Sequence, residues 1–92
     1  MPMIIAMGEC EDGSRWEKGF RSHVDLFRLQ SVTSPVHFTV NEANRFGILF
    51  EVDDIEKFQE VLESEATAEA MASDGVIRES IRVQLLDRVL EV

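Results

Sequence analysis

VHFTVNEANRFGILFEV, residues 36–52, decides the fold. Two segments within it, VHFTV and RFGILFEV, alternate apolar and polar side chains with period two, and NEAN between them is made of turn formers, so the stretch reads as a β-hairpin. Its register follows from which loop keeps one face apolar. A loop of odd length, Glu42 to Asn44, places Val36, Phe38, Val40, Phe46, Ile48, Phe50 and Val52 on one side. An even loop would mix Phe46, Ile48 and Phe50 with His37 and Thr39. A slip of one residue exposes a whole apolar set, which selects the odd loop.

Upstream, MIIAM (Met3 to Met7) is a short apolar run closed by Gly8, the pattern of a strand buried on both faces. The acidic loop GECEDG follows. Ser14 with Glu17 then offers a capping box for a first helix, expected to run to about Leu29 with Trp16, Phe20, Val24 and Phe27 along one stripe. Ser34-Pro35 ends any helical continuation. Downstream, Asp53 and Glu56 form a second capping box, and Ile55, Phe58, Val61 and Leu62 recur at helical spacing. A break is expected around Ser64, followed by the helix-prone EATAEAMA and a stop at Asp74-Gly75. SIRVQLLDRVLEV alternates Ile81, Val83 and Leu85 against Arg82, Gln84 and Leu86, which gives a fourth strand and a tail.

No repeat or linker divides residues 1–92, so one domain is expected, with the order strand, helix, strand, strand, helix, strand. Right-handed crossovers in this split βαβ order put both helices on one face of a four-stranded antiparallel sheet. The other face stays bare. It is expected to carry Ile4, Ala6, Leu49 and Leu86 beside His37, Thr39, Glu51, Arg82 and Gln84. A half-apolar sheet face seldom stays in water, so a second copy is expected to pack against it as a homodimer.

Nine basic residues against eighteen acidic ones give a formal charge of −9. That charge repels phosphate backbones and anionic membranes, which excludes nucleic acid as a natural partner. No apolar run approaches the roughly 18 residues of a membrane span. MPMIIAMGEC lacks the basic region of a signal peptide, so a cytoplasmic protein is expected. The single Cys10 allows no intrachain disulfide and no multi-cysteine zinc site. Its neighbours Glu9, Glu11 and Asp12 are expected to hold its thiol protonated.

The chain resembles the dimeric α+β barrel superfamily, in which two ferredoxin-like subunits set their sheets face to face. The likeness rests on the element order and on three local patterns: W-x-x-G-F-x-x-H-x-x-x-F from Trp16 to Phe27, LFEVDDIEKF from Leu49 to Phe58, and A-M-A-x-D-G-V from Ala70 to Val76. Together these resemble small uncharacterised bacterial members. The superfamily includes antibiotic-biosynthesis monooxygenases that use neither metal nor flavin, muconolactone isomerases, haem-dependent members and stress-responsive proteins. No residue set here matches the catalytic pattern of any of them. The resemblance therefore implies a fold and a pocket between helices and sheet, without naming a reaction.

Three groups of residues are candidates for chemistry. If the first helix is continuous, the seven steps from Trp16 to His23, at about 100° each, end within about 20° of the same direction. His23 would then lie among aromatics, where burial disfavours its charged form. It would act as a proton acceptor for a bound molecule, or simply pack and bond a backbone carbonyl. Trp16, Phe20, Phe27, Phe38 and Phe50 either wall an apolar ligand cavity or fill a core. His37, Thr39, Glu51, Arg82 and Gln84 form a dimer seam or an alternative site. No metal site is expected, since His23 and His37 fall on opposite sides of the sheet, and no cofactor motif occurs. ECED and EKFQEVLESE read as solvated surfaces.

Two functional readings follow. In the first, a homodimeric barrel binds a small, mainly apolar organic molecule between the first helix and the sheet, with or without turning it over. In the second, the core is filled and the protein serves assembly or interaction. A void above about 100 Å³ beside His23 separates them.

Overall fold

The computed structural model describes residues 2–92. Eight elements follow one another: β1 (Met3–Cys10), α1 (Gly13–Arg21), α2 (Val24–Leu29), β2 (His37–Val40), β3 (Arg45–Glu51), α3 (Ile55–Leu62), α4 (Glu65–Ser73) and β4 (Val76–Leu86). The four strands form one antiparallel sheet in the order β2-β3-β1-β4. This is the ferredoxin-like α+β arrangement expected from the element order.

The hairpin has the odd loop. Val40 faces Phe46 and Phe38 faces Ile48, while the Asn41 N–H donates to the Arg45 carbonyl at 3.0 Å. Asn44 closes the loop at φ +59°, the left-handed residue that ends a three-residue hairpin loop. Asparagine tolerates this backbone better than most residues. Its side chain also ties the hairpin to the turn before α1: Oδ1 accepts from the Gly13 N–H at 3.0 Å, and Nδ2 donates to the Glu11 carbonyl at 3.2 Å.

All helices cover one face. Ile4, Phe50, Val52 and Phe58 form one buried cluster there, and Cys10, Trp16, Phe20 and Phe46 form the other. Burial at about 25 cal/mol per Å² of apolar surface makes these clusters the main source of stability. The break expected at Ser64 is present, with the Ser64 hydroxyl accepting from the Thr67 N–H as N-cap of α4. Gly75, at φ +76°, turns the chain from α4 into β4.

The structure departs from the sequence expectation in five places. The first helix is two: α1 stops at Arg21, because the Ser22 hydroxyl takes the Gly19 carbonyl at 2.5 Å and the next turn does not continue. Val24, expected in the buried stripe, is 50% exposed. The N-caps are Asp12 and Asp54, which accept from Ser14 and Arg15 and from Lys57 respectively, in place of Ser14 and Asp53. On β1, Ile4 pairs with Phe50 and Ala6 with Ile48, so both face the helices, and Met3, Ile5 and Met7 take the bare face. A run apolar on both sides has no phase to read. Finally, β4 starts at Val76. Two steps along β1, from Met7 to Glu9, are matched by five along β4, from Arg82 to Ile77. In this bulge the Ser80 hydroxyl accepts from the Glu9 N–H and donates to the Ile77 carbonyl, so the alternation changes phase there.

No helix among the described residues is long and apolar enough to cross a membrane.

Replacing Asn44 with Ala removes two hydrogen bonds and leaves an alanine in the left-handed region, and should cost about 2 to 3 kcal/mol. Asn44→Gly restores the backbone freedom and should lose about half as much. Urea unfolding checks both, and midpoints equal to wild type would show the tie to be idle.

Candidate functional site

The aromatic residues of α1 are spaced to reach the sheet together. Trp16 stacks between Phe20, at 4.7 Å between ring centres, and Phe46 of β3, at 4.6 Å. Phe27 of α2 meets Phe20 edge-on at 5.1 Å and Phe50 at 6.0 Å. Because α1 and α2 are separate short helices, these rings do not close over the sheet completely. A cavity of about 100 Å³ remains between the helices and the sheet. Trp16, Phe20, Phe27 and Phe50 line it, joined by Leu26, Phe58, Leu62 and Met71 from the helices.

Phe38 lies outside this cavity. It packs on Phe20 and Trp16 from the β2 side, and it lines a more open groove of about 410 Å³ together with Arg21, whose guanidinium carbon is 5.0 Å from its ring centre. Of the expected five aromatics, Trp16 and Phe50 line the cavity alone, Phe20 and Phe27 line both the cavity and the groove, and Phe38 lines only the groove.

His23 does line the cavity, but not from the interior of a helix. It is the N-cap residue of α2, 26% exposed at its side chain, and its Nε2 lies 3.0 and 3.2 Å from the two carboxylate oxygens of Asp74. The expected setting of aromatics alone is therefore corrected: a buried carboxylate stands beside the ring. Asp74 sits at the C-cap of α4 and is buried. Gly19 makes room for it, since a Cβ there would fall 1.9 Å from Asp74 Oδ1. When Nε2 carries the proton it donates to Asp74, which leaves the lone pair of Nδ1 free to accept one.

The sequence reading missed the polar part of this cavity. Among the described residues the buried polar side chains are Gln30, Thr67 and Asp74, and all three line it. The Thr67 hydroxyl donates to the Val61 carbonyl at 2.5 Å. Asp74 was legible only as a helix stop before Gly75, and Thr67 only as one residue of a helix-prone run. Nothing in the local pattern marked Gln30.

The other constellation shares the bare face without converging. His37 lies opposite Leu49, Thr39 opposite Gly47, and Glu51 opposite Met3, while Gln84 and Arg82 lie opposite Ile5 and Met7. Arg82 is spent on the carbonyls of Glu79 and Ile81, at 3.0 and 2.8 Å. Glu51 and Arg82 are separated by β1 and by two rows of the sheet. Among the described residues, no three His, Cys, Asp or Glu side chains gather in metal-binding range.

Cys10 is buried and its thiol lies 3.4 Å from the Asn44 carbonyl. Burial pushes its pKa above the ordinary value, the charge of Asp12 adds to this, and a hydrogen bond from the Asp12 backbone partly offsets it. The direction is the one expected, with desolvation rather than acidic neighbours as the leading cause.

No protein-family model and no curated protein matches the sequence. Solved structures do match over nearly the whole chain. One is an antibiotic biosynthesis monooxygenase, 17% identical, with 98% of this chain and 100% of the other covered at a TM-score of 0.68. Another is SnoaB, a cofactor-independent oxygenase from Streptomyces nogalater, 10% identical, covering 99% and 95% at 0.71. A dimeric ferredoxin-like protein from an uncultured marine organism is 16% identical and covers 99% and 92% at 0.58. At these identities the likeness is one of fold.

Gly19→Ala should gain helix propensity of about 1 kcal/mol and still destabilise by about 1 to 3 kcal/mol net, because Asp74 must move. The His23 ring resonances should shift with it, and a more stable variant with unchanged His23 signals would contradict the contact.

For Cys10, the sign of the pH dependence follows from its raised pKa. The stabilisation is present below about pH 8.5, the value of a free thiol, and is lost as pH rises toward the native pKa, because the unfolded chain gives up its proton first. The chain has no tyrosine to mask this. A native thiol labelled at pH 8 as fast as the unfolded one would refute it, and Cys10→Ala should remove this component of the alkaline loss.

Proposed function

We propose that this chain is one half of a homodimeric α+β barrel that binds a small, mainly apolar organic molecule in the cavity between α1, α2 and the sheet. His23, oriented by Asp74, takes a proton from that molecule without a cofactor. The observation that carries the reading is one cavity that combines aromatic walls with a carboxylate-held imidazole. A neutral imidazole held at one nitrogen presents the other as a general base. Its partial exposure gives the proton a way on to water. Trp16, Phe20, Phe27 and Phe50 supply the apolar contact, and Phe38 supports them from behind. The cofactor-independent oxygenase of the same fold supports chemistry without a prosthetic group.

Self-association is supported by the bare face and by the dimeric neighbour. Met3, Ile5, Leu49 and Leu86 occupy adjacent strands there, and His37, Thr39, Glu51, Arg82 and Gln84 supply polar groups for register at a seam. Light scattering should give twice the 10.5 kDa protomer mass. Leu49→Glu should weaken association by several kcal/mol, on the order of 3, by burying a second carboxylate near Glu51. A monomer at micromolar concentration would end this part of the reading.

The site is tested by a screen for small molecules that raise the melting temperature, since binding to the native state must stabilise it. His23→Phe should cost a hit on the order of 1 to 3 kcal/mol of affinity, while Asp74→Asn should keep binding and slow proton transfer. Unchanged affinity in His23→Phe would remove His23 from the site. A screen without any hit would favour the filled, interaction-type barrel.

A further inference from the structure

Resting on the cavity reading above, we infer that Gln30 selects the ligand, and that the ligand is a neutral molecule no larger than one substituted ring, carrying a carbonyl, hydroxyl or amide group.

Gln30 is the C-cap of α2 and is 4% exposed. Its backbone is held firmly. The Gln30 N–H donates to the carbonyls of Leu26 and Phe27, the Val32 N–H returns to Phe27 at 3.1 Å, and Ser31 between them adopts φ +65°. This is the Schellman closure of a helix. The Ser31 hydroxyl fastens it to the Asp54 carbonyl at 2.9 Å. Gln30 therefore enters the cavity wall from a fixed point.

Among the described residues its carboxamide makes no hydrogen bond, whereas the two other buried polar side chains in the wall are satisfied, Thr67 by Val61 and Asp74 by His23. Among the described residues, no side-chain nitrogen or oxygen sealed from solvent lacks a partner. The Gln30 amide is therefore not sealed from solvent, and Gln30 is one of the residues that line the cavity. A carboxamide with no protein partner is completed either by water or by a polar group of a ligand. A carboxamide offers both donor and acceptor, so a carbonyl, a hydroxyl or an amide completes it.

Charge and volume narrow the class. Among the described residues the cavity wall contains no Lys or Arg, and its one carboxylate already faces His23. An anion would meet no Lys or Arg there and only an imidazole already engaged by Asp74, and a cation would have to displace that imidazole. A neutral molecule is left. About 100 Å³ is less than the roughly 150 Å³ of an engineered cavity that holds benzene, which limits the buried part to one small ring or an equivalent chain.

Phenol and toluene have the same shape and differ by the hydroxyl, so they are the probes, with benzoate as the anion. Titration of the intact protein followed by the Trp16 indole N–H resonance should show phenol binding about tenfold or more tightly than toluene, and benzoate not at all. In Gln30→Leu the preference should vanish, and the ligand-free melting temperature should not fall, since no protein hydrogen bond is lost. Gln30→Met, which keeps the length of the side chain, should behave alike and guards against a packing fault in the leucine variant. Equal binding of phenol and toluene by wild type, tight binding of benzoate, or a lowered melting temperature in both variants would overturn the inference and leave the cavity reading standing. If no probe perturbs the Trp16 signal at millimolar concentration, the cavity reading itself fails, and this inference with it.

Discussion

A slip of β3 by one residue against its neighbours would turn Phe46, Ile48 and Phe50 away from the helices and set Arg45, Gly47, Leu49 and Glu51 in their place. Period-two alternation makes register an all-or-none choice, and the remaining structure depends on it. Trp16 stacks on β3 only because Phe46 points inward. Phe27 and Phe58 reach the sheet through Phe50, which points inward in the same register. Asn44 holds the register at one end through its left-handed backbone and its bonds to the turn before α1, so one loop residue fixes both the hairpin and the entry of the first helix.

The site arises where the helical layer is interrupted. A single continuous helix from Trp16 to Phe27 would have packed its whole stripe against the sheet. The Ser22 hydroxyl stops α1 instead, and a six-residue helix follows whose two caps, His23 and Gln30, both line the cavity. Short helices have little stability of their own, and this one is held by its ends, His23 against Asp74 and Ser31 against Asp54. The polar groups of the cavity thus come with the anchoring of the element that carries them. Buried polar atoms at a cost in stability are what a binding site commonly contains.

The sheet has two unlike faces. One is closed by aromatic packing. The other carries Met3, Ile5 and Leu49 in the middle of a polar rim, and its edge strand β4 continues to Leu86 with Val83 and Leu85 still exposed on the helix side. The structural neighbours share the whole architecture at 10 to 17% identity. Such a likeness arises from the pattern of inward residues rather than from their identity, which is why it speaks for a fold and says nothing of a common reaction.

The hairpin register, the element order, the break at Ser64 and the turn at Gly75 were legible in the sequence, because alternation, capping residues and a left-handed glycine act over a few neighbouring residues. The phase of MIIAM was not, since a strand apolar on both sides carries no alternation, and only pairing with β3 decides it. The bulge at Ser80 was hidden for a similar reason: it breaks the period that would reveal the strand. His23 was found as a residue and misplaced as a group, because helical geometry predicts its direction only while the helix continues. Gln30 lay outside every local pattern, and Asp74 showed only as a helix stop. Their partners, or the want of one, are set by contacts between residues far apart in the chain, and spacing along a sequence does not encode which distant side chains meet across a core. The sequence by itself determined which residues turn inward and in what order the elements come; only the tertiary structure decided which polar groups share the space left between them.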